Sequence, residues 1–128
     1  MNLTADEKEF LELVNVKRQE KGLHPLEVKP ELMKAAKIKC EDMIRYSYCE
    51  HFSPRLGRIG KILRGLGYKF HLAAENIGIG SNIHILFSAF LSSSGHRNKI
   101  LGHRYYFTGV SIIPKRGGIR IAQVFSDV

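Results

Sequence analysis

Long apolar runs are missing from this sequence: none approaches the ~20 consecutive residues that a membrane-spanning helix needs. The N-terminus also lacks the pattern of a signal peptide, because acidic residues follow Thr4 where an apolar stretch would be required. The sequence is therefore that of a cytoplasmic protein, or of an exported protein whose export segment lies outside this chain.

The motifs of several familiar catalytic sites are missing as well. There is no His-Glu-x-x-His zinc helix, no Gly-x-Ser-x-Gly nucleophile turn and no glycine-rich phosphate loop. A Ser-His-acid triad is not favoured, because no serine stands in a nucleophile turn. These absences leave the 6 histidines of the chain without an obvious catalytic motif.

Cysteine occurs only twice, at Cys40 and Cys49. If one helix continued between them, their Cα atoms would lie ~13 Å apart. A disulfide allows at most ~7 Å. We therefore expect free thiols unless the chain turns back between the two residues, and we expect no metal site built from them and His51.

Acidic residues are almost absent from the second half of the chain. Residues 51–126 contain 11 lysines and arginines but a single carboxylate, Glu75, in a protein of net charge +8. Such a basic surface is suited to an anionic partner, for example phospholipid or acidic glycan. The alternative is a solvated basic surface with no dedicated partner. We expect no nucleic-acid binding, because no recognition motif is present.

The length of 128 residues suits a single domain over residues 1–128. Thr4 and Glu7 form a capping box that predicts a helix ending near Lys21, and Pro30 suits the first turn of a second helix that reaches about Arg45. A short helix is predicted over 59–66, and an amphipathic helix capped by Asn82 or Ser81 is predicted over 83–91.

Extended structure is predicted late in the chain. Residues 73–79 indicate a short strand, and residues 105–113 and 119–125 indicate a β-hairpin with its turn at 114–118. Early helices followed by antiparallel strands predict an α+β fold, with the helices layered on a small sheet.

Three short stretches each place an ionisable or metal-binding side chain beside a turn residue. They are His51-Phe52-Ser53-Pro54, Ala74-Glu75-Asn76-Ile77 and Ser94-Gly95-His96-Arg97. In this order and spacing they resemble the CAP superfamily of cysteine-rich secretory, antigen 5 and pathogenesis-related proteins, and in particular its bacterial SCP-like branch. The resemblance extends from Val14-Asn15-x-x-Arg18 to Gln123-Val124-Phe125.

The resemblance implies an α-β-α sandwich, in which helices flank a small three-stranded antiparallel sheet. It also implies a binding cleft where His51, Glu75 and His96 face each other, with Asn76 beside Glu75. Ser93 stands where eukaryotic members carry a second glutamate, and this departure resembles the bacterial branch.

Two neutral imidazoles, His51 and His96, suit Zn²⁺ or another divalent cation. Glu75 could be a third ligand, orient a histidine or act as a base. The alternative is that Glu75 only joins loops by hydrogen bonds and that no cofactor is required. Loss of the second acid at Ser93 weakens catalysis more than binding, because a metal hydrolase normally needs three protein ligands. His71 is a candidate for the rim of the cleft.

The resemblance further implies an extracellular or cell-surface location, because CAP proteins are mostly secreted and several bind sterols or other lipids. We predict a monomeric, non-enzymatic module that binds a lipid, an anionic glycan or a protein partner through the cleft and the basic face. Such a module could associate peripherally with a membrane or cell surface. The alternative is a metal-dependent hydrolase, acting on peptides or cell wall, with Glu75 as base and His51 and His96 as metal ligands.

Overall fold

The first two helices begin and end at the signals that the sequence carries. In the computed structural model, which describes residues 2–128, helix α1 covers Ala5–Glu20 and helix α2 covers Pro30–Arg45. The Thr4 hydroxyl accepts the Glu7 backbone N–H, and the Glu7 carboxylate accepts the Thr4 N–H, so the predicted capping box is present. Gly22 follows α1 with a φ of 74°, the left-handed conformation that ends many helices.

Three shorter helices follow. Helix α3 covers Ile59–Gly65 and α4 covers Ile83–Ser92, where the Asn82 side chain accepts the Ile85 N–H at 2.9 Å as its predicted cap. Helix α5, Ser94–Ile100, was not predicted, because its serine and glycine residues have weak helix propensity. Tertiary packing stabilises α5 instead, since Ile100 is fully buried. No helix within residues 2–128 is long and apolar enough to cross a membrane.

The sheet contains four strands and is mixed, which corrects the expected three-stranded antiparallel sheet. Strands β1, β2, β3 and β4 cover Glu27–Val28, Ala73–Gly80, Phe107–Lys115 and Gly118–Ser126, and their order is β1-β3-β4-β2. The three long strands are antiparallel neighbours, as expected, whereas β1 pairs in parallel with the start of β3. A two-residue strand has no hydrophobic period, so only its pairing partner reveals it.

The β-hairpin has a tighter turn than the predicted 114–118. Arg116 and Gly117 alone connect β3 to β4, with φ values of 48° and 76°. Positive φ at two central residues is typical of the hairpin turn whose twist matches the flanking strands. Pro114 therefore lies inside β3, at a position whose nitrogen faces away from β4 and donates no ladder hydrogen bond.

Helices cover the two faces of the sheet, which confirms the α-β-α sandwich. Helices α1, α4 and α5 pack on one face, while α2 and α3 pack on the other. Successive side chains of β4 point to opposite faces of the sheet. Ile121 and Phe125 pack toward α1 and α4. Ala122 and Val124 pack toward α2. Glycine at position 109 allows α2 to approach β3 closely, because an added Cβ would lie 2.2 Å from the Leu32 carbonyl carbon.

Candidate functional site

Glu75 is a buried carboxylate on the edge strand β2. It pairs with Val124 and so lies on the face of the sheet that α2 covers. Its Oε2 atom lies 3.0 Å from Nδ1 of His51 and 3.8 Å from Nζ of Lys39. Burial raises the pKa of the Glu75 carboxyl, and the charge of Lys39 and the hydrogen bond with His51 limit that rise. The other oxygen, Oε1, is buried without a hydrogen-bond partner among the described residues.

Lys39 connects three parts of the site. Its ammonium donates to the backbone carbonyls of Glu50 at 2.7 Å and His51 at 3.0 Å, while it faces Glu75. The side chain is fully buried, and burial lowers the pKa of Lys39 against the opposing effect of Glu75. An interior cation therefore fixes the backbone of the histidine loop and neutralises the buried carboxylate.

The histidine loop, residues 46–56, is held to α2 by Asp42. The Asp42 carboxylate accepts hydrogen bonds from the hydroxyls of Tyr48 and Ser53 and from the guanidinium of Arg55. Burial acts to raise the pKa of Asp42, but these hydrogen bonds outweigh it and hold that pKa below its usual range. Ser53 also accepts the N–H groups of Arg55 and Leu56, so it closes a turn within the loop.

His96 lies near this pair without bonding to it. Its ring stacks on Phe90 at a centroid distance of 4.5 Å, and its Nδ1 lies 3.0 Å from the hydroxyl of Ser93. Burial and the charge of Lys99 lower the pKa of His96. The ring of His96 is therefore anchored by its own surroundings.

The other two predicted cleft residues have different positions. Asn76 donates to the backbone carbonyl of His96 at 3.0 Å and so joins β2 to α5, while its own side-chain oxygen is buried without a partner among the described residues. His71 has a side chain that is 85% exposed and lies 3.4 Å from the carboxylate of Asp127. Within residues 2–128 no hydrogen bond or ion pair connects His71 to the other predicted cleft residues.

A groove of about 700 Å³ opens above Glu75 and His51. Its wall carries Arg58, Lys61 and Arg64 from α3 and the turn before it, and Lys99 from α5 completes the rim. We call this concavity the basic groove.

The sequence of residues 11–125 matches the model of the CAP family, described as the cysteine-rich secretory protein family. This chain belongs to the CAP family. It is 34% identical over 113 residues to YkwD of Bacillus subtilis, a match that covers 88% of this chain and 44% of YkwD. The membrane protein YlbC of the same organism is 32% identical over 110 residues, covering 85% of this chain and 32% of YlbC. The chain spans less than half the length of these two relatives.

Solved structures of several bacterial proteins share the fold. An extracellular, SCP-domain protein of Bacillus anthracis superimposes with a TM-score of 0.89 at 26% identity, covering 100% of this chain and 45% of that one. A cysteine-rich secretory protein of Staphylococcus aureus gives a TM-score of 0.79 at 18% identity, covering 96% of this chain and 39% of that one. An outer surface protein of Borrelia burgdorferi gives a TM-score of 0.90 at 16% identity, covering 98% of this chain and 95% of that one. The resemblance to the bacterial branch is thereby confirmed.

The residues of this CAP domain do not fit a three-ligand zinc site. His51 presents its Nδ1 to Glu75, and His96 presents its Nδ1 to the hydroxyl of Ser93. Within residues 2–128 no group of three or more histidine, cysteine, aspartate or glutamate side chains is placed to hold a metal ion. Structural and catalytic zinc sites normally require at least three such ligands.

The sequence motifs did not reveal the lysines and arginines of the site, although the position of Lys39 could have been predicted from its helix spacing. On α2, Leu32, Ala35, Lys39 and Met43 follow the three-to-four residue spacing of a single buried helix face. A lysine on such a face must be paired or bonded to backbone oxygen, so Lys39 could have been recognised as a partner for a buried acid. Lys99 and the wall of α3 carried no comparable signal, because exposed lysines and arginines are common on any basic surface.

Proposed function

We propose that this CAP domain acts outside the cell as a non-enzymatic module that binds an anionic partner in the basic groove. The observation that carries the proposal is the charge of that groove. Arg58, Lys61, Arg64 and Lys99 have no acidic side chain within 4 Å in the part of the chain that the structure describes. The carboxylate at the base of the groove, Glu75, is instead close to Lys39 and His51.

Unpaired cations that converge on a concave surface attract anions, because their fields add and the low-dielectric wall focuses them. Burial lowers the pKa of Lys99, and the nearby Glu75 opposes this effect. An anionic group in the groove would favour the charged form of Lys99 and would be favoured by it in return. A lipid headgroup, an acidic glycan or an acidic protein segment could each supply that group.

The extracellular location is supported by the solved relatives, which include an extracellular protein and an outer surface protein. The alternative of a metal-dependent hydrolase is not supported by the arrangement of His51, Glu75 and His96. Ser93 takes the place of a second acid and hydrogen-bonds to His96, and within residues 2–128 no third ligand joins the two histidines.

The test is retention on immobilised heparin, used as a sulfated polyanion, in a salt gradient. We expect the double variant Arg58→Gln/Lys61→Gln to elute at distinctly lower salt than the original protein. With two fewer cations the groove attracts the sulfate groups less strongly, so a lower salt concentration is enough to screen the attraction. The matched control is Lys115→Gln/Arg116→Gln, which removes the same charge from the hairpin turn outside the groove. Equal elution of the two double variants would contradict the proposal.

A further inference from the structure

A second, smaller depression adjoins the basic groove, and the ring of Phe52 borders each of them. This depression has a volume of about 220 Å³. We call it the aromatic pocket; it is lined by Tyr46, Tyr48, Glu50, Phe52, Pro54 and Arg55. Phe52 is 52% exposed and Tyr46 is 44% exposed, so two large rings of the aromatic pocket face solvent.

Two of the three rings of the aromatic pocket, Tyr46 and Tyr48, are held in place by Arg55 and Asp42. The guanidinium of Arg55 lies 3.3 Å from the ring centroid of Tyr46, and Arg55 is itself bonded to Asp42. The hydroxyl of Tyr48 also bonds to Asp42. Rings that are fixed before a ligand arrives lose little conformational entropy on binding, which is a property of recognition surfaces.

Three kinds of chemistry meet along this surface. Exposed aromatic rings offer apolar faces, on which the C–H faces of sugar rings can pack. Glu50 and the unpartnered Oε1 of Glu75 offer carboxylate oxygens, which accept hydrogen bonds from hydroxyl groups. The cations of the groove wall offer partners for carboxylate or sulfate groups. A ligand that satisfies all three must carry rings, hydroxyls and negative charge.

We propose that the basic groove and the aromatic pocket together bind one acidic glycan chain, which crosses Phe52. This inference rests on the proposed function, since it names the partner of the basic groove. A charged sugar unit lies in the groove against Arg58, Lys61 and Lys99, with a hydroxyl directed to Glu75. The next unit along the chain packs on Phe52 and Tyr46, with its hydroxyls near Glu50.

A bilayer surface fits these observations less well. The large exposed apolar residues at the pocket are aromatic. The large exposed aliphatic residues lie elsewhere, on α1, β2 and α4 and at the C-terminus: Val16, Ile79, Ile85 and Val128. The site is also concave, which suits a chain better than a flat surface.

The experiment compares the affinities of three soluble probes and one vesicle by isothermal calorimetry. Hexameric oligogalacturonate carries rings and carboxylates, linear polyphosphate carries charge alone, and maltohexaose carries rings alone. Vesicles of phosphatidylglycerol and phosphatidylcholine report on a membrane. The variants are Phe52→Ala and Tyr46→Ala, with Tyr106→Ala as a control, because Tyr106 is similarly exposed but stacks on His24 away from the groove.

We expect oligogalacturonate to bind at least tenfold more tightly than polyphosphate or maltohexaose. Phe52→Ala and Tyr46→Ala should each weaken oligogalacturonate binding about fivefold or more, whereas Tyr106→Ala should leave it unchanged. Polyphosphate that binds as tightly as oligogalacturonate, with no effect of Phe52→Ala, would overturn the glycan inference. Tighter binding to the anionic vesicles, weakened by Phe52→Ala, would overturn it in favour of a membrane.

The proposed function fails separately from this inference. If neither charged probe binds, or if Arg58→Gln/Lys61→Gln binds polyphosphate as well as the original protein does, the proposal that the basic groove binds anions is wrong. If polyphosphate binding depends on those two cations while the ring variants have no effect, the groove stands and only the glycan is rejected.

Discussion

Nζ of Lys39 lies 3.8 Å from Oε2 of Glu75, and the two side chains are almost completely excluded from solvent. The pair joins the second helix to the edge strand of the sheet, and the same ammonium holds two carbonyls of the histidine loop. A buried carboxylate requires a compensating charge. In this CAP domain a lysine of the chain supplies that charge.

Replacing Lys39 by methionine should destabilise the protein by about 3–5 kcal/mol, because it leaves Glu75 buried without its ammonium partner. The substitution keeps the apolar stem of the side chain, so the loss reports mainly on charge and hydrogen bonding. Urea unfolding at pH 7 measures the difference in the free energy of unfolding.

Glu75→Gln and the double variant Lys39→Met/Glu75→Gln complete the cycle. Since the two groups are in one network, the double variant should be clearly less destabilised than the sum of the two single variants. Additive losses would mean that Lys39 and Glu75 do not stabilise each other.

The stability that Asp42 gives the histidine loop should decrease in acid. The pKa of this carboxyl is lowered in the folded protein, so its stabilising contribution is complete above the unfolded value of ~3.9 and is lost as the pH falls through the lower folded value. At pH 7 we expect Asp42→Asn to cost about 2 kcal/mol, because hydrogen bonds to a charged acceptor are replaced by weaker ones.

The difference between Asp42→Asn and the original protein should remain constant from pH 7 to about pH 5 and shrink below about pH 4. Urea midpoints measured across this range give the difference directly, since the other carboxyls titrate in the two proteins alike. A difference that grew on acidification would have the wrong sign for a carboxyl of lowered pKa.

Gly109→Ala should destabilise the protein by about 3 kcal/mol or more, since the new Cβ would overlap the backbone of α2. The nearest atoms would be the Leu32 carbonyl carbon at 2.2 Å and the Met33 nitrogen at 2.3 Å, neither of which can rotate away. Gly65→Ala is the matched control, because an added Cβ there meets no atom within 4 Å. Thermal unfolding should show a large loss for the first variant and little change for the second.

Zinc should bind weakly to this domain, and the binding should not depend on His51 and His96. Nδ1 of His96 is hydrogen-bonded to Ser93, and Lys39 already compensates the charge of Glu75. Calorimetry with Zn²⁺ should therefore give the same affinity for the original protein and for His51→Ala/His96→Ala. Much tighter binding by the original protein would show that the histidines form a metal site.

Local signals predicted the parts of the fold whose causes lie close together in sequence. The capping box of Thr4 and Glu7, the proline start of α2 and the Asn82 cap each act within one helical turn. Strand β1 escaped prediction because it exists only through its pairing with β3, which lies about 80 residues away along the chain. Helix α5 escaped because burial of Ile100 outweighs the weak propensity of its first residues.

In the candidate site, too, only part of the arrangement could be predicted from the sequence. The resemblance to the CAP family implied that His51, Glu75 and His96 face each other in one cleft, and the structure places His51 against Glu75 with His96 nearby. Spacing could not show that the His96 ring turns to Ser93, or that the groove wall is formed by α3. Those features depend on how separate helices meet at the edge of β2, which no local pattern records.

The most direct test of the basic groove is an amide chemical-shift titration of the metal-free, ¹⁵N-labelled protein with hexameric oligogalacturonate. We predict that the perturbed resonances will be those of residues 51–52, 57–61, 64 and 99, which border the groove. Perturbations confined to the hairpin turn at 115–118, or shifts that require added zinc, would contradict a metal-independent anion site in the groove.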